Sequence, residues 1–272
     1  MNIHFTDKIL FEKLKKATLV KCIVGSRLYG IHNDDITKGP LSDTDFLYIY
    51  ATSENELTSA IQTHHQLQFI DEDGNDHNFV SLHTFVRNIL NGDSTINFEV
   101  VQSGALFNTN LEWLHDLRSH FITYTIIRSY LGLCNRDIKF YYKEKIEYNK
   151  KKKIQHIIRG YLYAESLLNK TFDFKKSNNL LLEINIDISN NNLIKEYTQN
   201  VSNLRFILNE KFNNKTLGLA QHMNVDGAKE LTYCMNYFCR SNDDTHFNEK
   251  QKHLNEFDMS YFVNAFENWV EY

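Results

Sequence analysis

The chain has 272 residues, 42% of them hydrophobic, with 19 Phe and 15 Tyr, which is enough for a sizeable core in one large domain or two ordinary ones. No apolar run approaches the roughly 18 residues needed to cross a bilayer, and the start MNIHFTDKILFEKLKK lacks the basic-then-apolar order of a secretory leader, so a cytoplasmic protein without a membrane partner is expected. A formal net charge of −4 argues against general coating of nucleic acid but leaves room for a local basic groove, and the four cysteines (Cys22, Cys134, Cys234, Cys239) form no paired framework.

In chain order, Lys8 to Lys16 places Ile9, Leu10 and Leu14 on one helical face. The β-rich run Thr18 to Val24 follows, with Cys22 expected to be buried. Gly25-Ser26 makes a turn, and the polar segment His32 to Leu41, with Gly39-Pro40, reads as a loop. Asp45 to Tyr50 predicts a second strand, and Glu54 to His64 a helix. Gln66 to Ile70 and Asn78 to Val80 flank the turn-rich segment Asp71 to Asn75, a hairpin pattern. Leu82 to Leu90 returns to helical spacing. Residues 1–115 therefore predict an α+β module with a short mixed sheet.

Beyond about Ser119 helical periodicity dominates, and residues 116–272 predict a helical, substrate-binding domain. Ile154 to Leu168 has a broad apolar face. Leu193 to Asn209, Asp226 to Tyr237 and Met259 to Tyr272 also read as helices, while Asn178 to Asn192 is Asn-rich and reads as a loop around a short apolar piece.

The chemistry concentrates between Ile23 and Ile49. Gly25 permits close backbone approach, and the Ser26 hydroxyl with neighbouring N–H groups can bond a phosphate oxygen. Arg27 can add positive charge for a β- or γ-phosphate or face solvent. Asp43 and Asp45 lie two apart at a strand start, so their side chains share a face. Such adjacent like charges are unfavourable unless a cation lies between them, which points to divalent metal. Either half of the motif alone is commonly a structural turn or a solvated Asp-x-Asp; the order strand, Gly-Ser, Asp-x-Asp, strand is far more specific.

The segments Ile23-Val24-Gly25-Ser26-Arg27-Leu28-Tyr29-Gly30 and Ser42-Asp43-Thr44-Asp45-Phe46 resemble the signature of the DNA polymerase β-type nucleotidyltransferase superfamily. The GSRLYG wording is similar to a bacterial and phage branch of predicted nucleotidyltransferases, some associated with RNA ligases. The resemblance implies that Gly25 and Ser26 bind the phosphates of an NTP, and that Asp43, Asp45 and a third carboxylate bind two Mg²⁺ or Mn²⁺ ions. Asp76, which begins a strand running into an amphipathic helix, is the choice for the third; Asp71, Glu72 and Asp73 are its rivals, placed by the pattern in a solvated turn. Ser26 and Asp43 are 17 positions apart, a wider gap than the superfamily usually has, which a loop tolerates because closure entropy grows slowly with length. Asp34 and Asp35 within that loop read as surface charge.

Lys152, His156 and Arg159 fall at i, i+4 and i+7 and form one polar stripe on an apolar helix. The same branch carries a similar Lys-x-x-x-His-x-x-Arg helix, which implies nucleotide binding; the alternative is a solvated edge, as for Lys151 and Lys153. Glu99 either buttresses the site or is a plain helix-face residue, and His64, His65, His77 and His83 lack a zinc frame. The expected activity is transfer of an NMP to an acceptor hydroxyl or phosphate with release of pyrophosphate, RNA ends being slightly favoured over a protein or small molecule. The competing expectations are a non-catalytic nucleotide- or RNA-binding regulator, or an antitoxin-like enzyme that modifies a protein. The choice of NTP and the oligomeric state are left open.

Overall fold

In a computed structural model, residues 5–38, 40–51, 66–184, 186 and 191–212 are described. The segments read as helices at Glu54 to His64, Asp226 to Tyr237 and Met259 to Tyr272, together with His64, His65, Cys234 and Cys239, lie outside these residues. No described helix is long and apolar enough to cross a membrane.

Helix α1 (Phe5–Lys16) leads into a sheet of β1 (Thr18–Val24), β2 (Asp45–Tyr50), β3 (Gln66–Ile70) and β4 (Asp76–Ser81), ordered β1-β2-β4-β3. β1 and β2 are antiparallel, β2 and β4 parallel, and β4 and β3 antiparallel. Side-chain alternation sorts the two faces. Val20, Cys22, Val24, Leu47, Ile49 and Val80 point into the main core, while Tyr48, Tyr50 and Phe79 join Leu14 of α1 on the other side. Phe11 of α1 seals that smaller layer edge-on against Phe69 and Phe79, with ring centroids 5.3 and 5.4 Å away.

The main core is built by α2 (Leu82–Asn91), α3 (Thr95–Ser103), the short α4 (Glu112–Asp116), α5 (Tyr124–Lys143), α6 (Glu147–Leu168), α7 (Phe174–Glu183) and α8 (Asn192–Phe212). Side-chain caps start several of these helices: Ser81, Ser94, Thr123 and Asp173 each accept from a backbone N–H three residues on. At Gly92 the left-handed φ of +66° ends α2, and a Cβ there would meet the Ile126 backbone nitrogen at 2.5 Å. The α5–α6 crossing is equally close, since a Cβ on Gly160 would lie 2.6 Å from Cys134 Sγ. Both described cysteines are free and buried, and burial pushes the Cys22 thiol up to about 12. One buried cluster runs from β1 to Leu208 in α8, so the helical part packs directly on the sheet.

The mixed α/β plan agrees with the sequence reading, including the strand bounds Thr18–Val24 and Asp45–Tyr50. One segment differs. Asn178 and its neighbours belong to α7, not to a loop: the Asp173 cap starts the helix, the Asn178 side chain is buried as acceptor for Tyr163 Oη at 2.7 Å, and Leu181 fills the core. Asn is a poor helix former because it competes with the backbone, and here a buried partner outweighs that tendency.

Candidate active site at the Gly-Ser turn and the strand-start carboxylates

Three chain segments meet at one end of the sheet. β1 ends there at Val24, whose register partner is Asp45 at the start of β2. Parallel pairing of β2 with β4 sets Phe46 against His77, which brings the preceding residues, Asp45 and Asp76, to neighbouring strand starts. Counting in twos from Leu47, Ile49 and Val80 puts both carboxylates on the helix-covered face.

Gly25 opens a one-turn 3₁₀ segment, Gly25–Arg27, with φ +68°. A Cβ at this position would collide with the Asp45 carboxylate, so glycine is required both by the backbone angle and by the packed acid. The turn is closed by Leu28 N–H to Gly25 O at 3.1 Å and Ile31 N–H to Ser26 O at 3.0 Å. The Ser26 hydroxyl makes no hydrogen bond to any described residue.

The electrostatics follow from this crowding. Burial, then the charges of Asp43 and Asp76, push the Asp45 carboxyl up to about 6, and Lys152 of α6 opposes the rise. The charges of Asp43, Asp76 and Lys152 therefore all bear on Asp45. Among the described residues no three His, Cys, Asp or Glu side chains converge closely enough to hold a metal ion as they stand. The donor set nevertheless fits a hard divalent cation: hard carboxylate oxygens, crowded like charges, and a half-buried acid that resists ionising unaided.

The rivals of Asp76 are otherwise engaged. Asp71 accepts from the backbone N–H groups of Asp73 and Asn75 and from Asn75 Nδ2, and it pairs with His77 Nε2 at 3.0 Å. The bonds from Asn75 and then His77 hold its carboxyl well below the usual range. Glu72 and Asp73 are exposed in the turn. Asn75 Oδ1 in turn accepts from Thr44 N–H at 2.9 Å, tying the hairpin turn to the Asp-Thr-Asp segment.

Other sequence candidates are placed differently. Arg27 spans the long loop: Nη2 donates to Asp34 Oδ1 at 2.9 Å and to Ser42 O at 3.3 Å, while its Nε is buried without a partner. Asp34, paired with both Arg27 and His32, is a loop anchor rather than plain surface charge.

The Lys152–His156–Arg159 stripe divides into three environments. Lys152 acts on Asp45, whereas His156 Nδ1 lies 3.5 Å from Asp137 Oδ2 on α5. Burial lowers the His156 pKa, with Asp137 opposing. Arg159 is 10% exposed, donates to Glu99 Oε1 at 3.0 Å and stacks 3.6 Å from the Tyr29 ring centroid. Arg159 is thus a buried charge matched by Glu99 and stacked on Tyr29, just after the Gly-Ser turn. Glu99 takes the buttressing role: it also accepts from Tyr29 Oη at 2.5 Å and from Tyr130 Oη at 2.9 Å. The parts of Tyr29 and Tyr130 escape sequence reasoning; the visible signal was a lone acid within the apolar run Ile96 to Val101.

A short mixed sheet with a Gly-Ser turn packed against strand-start carboxylates marks a nucleotidyltransferase of the polymerase β type. Residues 8–201 match the family RlaP, described as the RNA repair pathway DNA polymerase beta family, and the chain belongs to it. No curated protein matches the chain significantly.

Proposed function

We propose that the protein is a metal-dependent nucleotidyltransferase that moves an NMP from an NTP to an acceptor oxygen, an RNA end being the favoured acceptor. The observation that carries this reading is the packing of the Asp45 carboxylate against Gly25 at the sheet end it shares with Asp43 and Asp76. On this reading the turn that would hold the phosphates adjoins the acid cluster, as nucleotidyl transfer needs.

Asp43, Asp45 and Asp76 would hold Mg²⁺ or Mn²⁺, which when bound supplies charge neutralisation at the phosphates and lowers the pKa of the acceptor hydroxyl. Ser26 Oγ and the N–H groups of the turn hold phosphate oxygens. Arg27, with its buried Nε free, adds positive charge beside them. Lys152, whose charge bears on Asp45, offsets negative charge in the cluster. The acceptor hydroxyl oxygen attacks the α-phosphorus and gives its proton to Asp76, the bond from that phosphorus to the bridging oxygen breaks, and pyrophosphate leaves with that electron pair. The RNA preference draws on the description of the family.

The test is incubation with α-phosphate-labelled NTPs, Mg²⁺ or Mn²⁺, and single-stranded RNA. Label should pass to RNA with the wild type and fall by roughly 100–1,000-fold in Asp43→Asn, the loss typical of removing one group that stabilises developing charge. Equal transfer by both proteins would overturn the assignment.

A further inference from the structure

The corner where α5 turns into α6 carries a second feature that the carboxylate site does not use. Between residues 136 and 153 there are eight lysines and arginines against three acids, in a chain whose net charge is −4. The positive charge is therefore concentrated. A cavity of about 580 Å³ opens at this corner, lined by Phe140, Lys143, Glu144, Lys145, Ile146 and Lys153. Phe140 and Ile146, which both line it, are 49% and 60% exposed, and the Lys153 ammonium lies 5.5 Å from the Phe140 ring centroid over one face, leaving the other for a base.

The two acids nearest the cleft are already committed. Glu144 folds back to accept from the N–H groups of Lys145 and Ile146 and from Asn149 Nδ2, and these bonds hold its carboxyl below the usual range. Asp137, 3% exposed, is shared by Arg136 Nε at 3.3 Å, Lys153 Nζ at 3.6 Å and His156 Nδ1 at 3.5 Å. Cations thus outnumber available carboxylates, and the surplus faces the cleft. An aromatic face flanked by lysines suits one ligand class: a flexible chain of π-faces joined by phosphates.

The cleft also leads somewhere. Lys153 lines it, while the adjacent Lys152 acts on Asp45. Tyr148 Oη donates to Pro40 O at 3.3 Å, fixing the first turns of α6 to the loop between Gly-Ser and Asp-x-Asp.

We propose that this corner is the acceptor track: a single-stranded polynucleotide stacks a base on Phe140, sets its phosphates against Lys143 and Lys145, and delivers its end past Lys152. The proposal deepens the transferase reading and rests on it for the direction of the strand, but binding is measured without catalysis. Fluorescence anisotropy in EDTA, without NTP, compares labelled single-stranded RNA, single-stranded DNA of the same sequence, a duplex and an acidic peptide.

Single strands should bind the wild type best. Phe140→Ala should weaken them about tenfold, in line with the loss of one stacked base, and Phe140→Trp should restore binding. Lys143→Gln with Lys145→Gln should lower the slope of log K against log salt by about 1 to 1.5. RNA and DNA binding alike support the track, and the difference between them reports any 2′-hydroxyl contact. Tighter binding of the peptide, equal binding of duplex, or unchanged binding by Phe140→Ala would overturn it. Because Phe140 is half exposed, its loss leaves the fold intact, which circular dichroism checks. If the wild type labels RNA and Phe140→Ala labels it equally well, the track falls while the transferase reading stands; binding without any label transfer gives the reverse.

Discussion

Two polar clusters lie on either side of the Gly-Ser turn, built from similar residue types and treated in opposite ways. Beneath it, Glu99 is fully buried and meets Arg159, Tyr29 and Tyr130, so each charge has a partner. In front of it, Asp43 and Asp76 crowd Asp45, and Lys152 opposes them. A matched buried cluster fixes geometry, whereas an unmatched half-buried one holds a binding potential for what the protein lacks. The contrast separates the residues that hold the turn from those that use it.

The largest effect should come from breaking the matched side. Glu99→Ala leaves Arg159 charged and unpaired under the turn, which should cost about 3–5 kcal/mol of stability, read as a lower midpoint in urea. Asp45→Asn should do the reverse in the fold and damage function. It relieves like-charge crowding, so the melting temperature should hold or rise, while nucleotidyl transfer falls by roughly 100-fold or more. Mg²⁺ should raise the melting temperature of the wild type and leave Asp45→Asn much less affected. A lower melting point for Asp45→Asn would erase the contrast.

A middle-sized effect is expected at Gly25→Ala, where both the positive φ and the Asp45 carboxylate oppose a methyl group. About 1–3 kcal/mol should be lost. Transfer should drop further than stability alone explains, seen as reduced kcat in protein that remains folded.

The smallest effect concerns the hairpin turn. The Asp71 carboxyl is depressed from its ordinary value of 3.8 by bonds from Asn75 and His77. A depressed carboxylate contributes stability that is present above the unfolded value and is lost as pH falls through the folded one. The stability of the wild type should therefore fall progressively below about pH 4. Asp71→Asn should show a flatter profile there, measurable by circular dichroism, and identical profiles would detach the turn from acid stability.

Much of this was legible in the chain. Thr18 to Val24 alternates because one face lies in the main core, whereas Asp45 to Tyr50 is an unbroken apolar run after its first residue because both of its faces are covered. The Gly-Ser and Asp-x-Asp pattern is local, so it survives as sequence text. What was hidden depends on distant partners. The pairing of Glu99 with Arg159 joins residues 60 apart, and no periodicity separates a helix residue that faces the cleft from one that turns beneath the loop. The same holds for α7, where Asn178 stays helical only because Tyr163 waits for it.

The bond from Thr44 N–H to Asn75 Oδ1 gives the two connections in this site different tolerances for change in length. The segment between Gly30 and Leu41 is a span whose ends are pinned separately, and it can lengthen among relatives while the catalytic floor stays level. The turn from Asp71 to Asn75 acts as a ruler. One residue added or removed just before Asp76 would rotate its carboxylate to the opposite side of the sheet, because neighbouring strand residues alternate in direction. Gene variants that gain or lose codons should therefore accumulate in the first connection and be purged from the second.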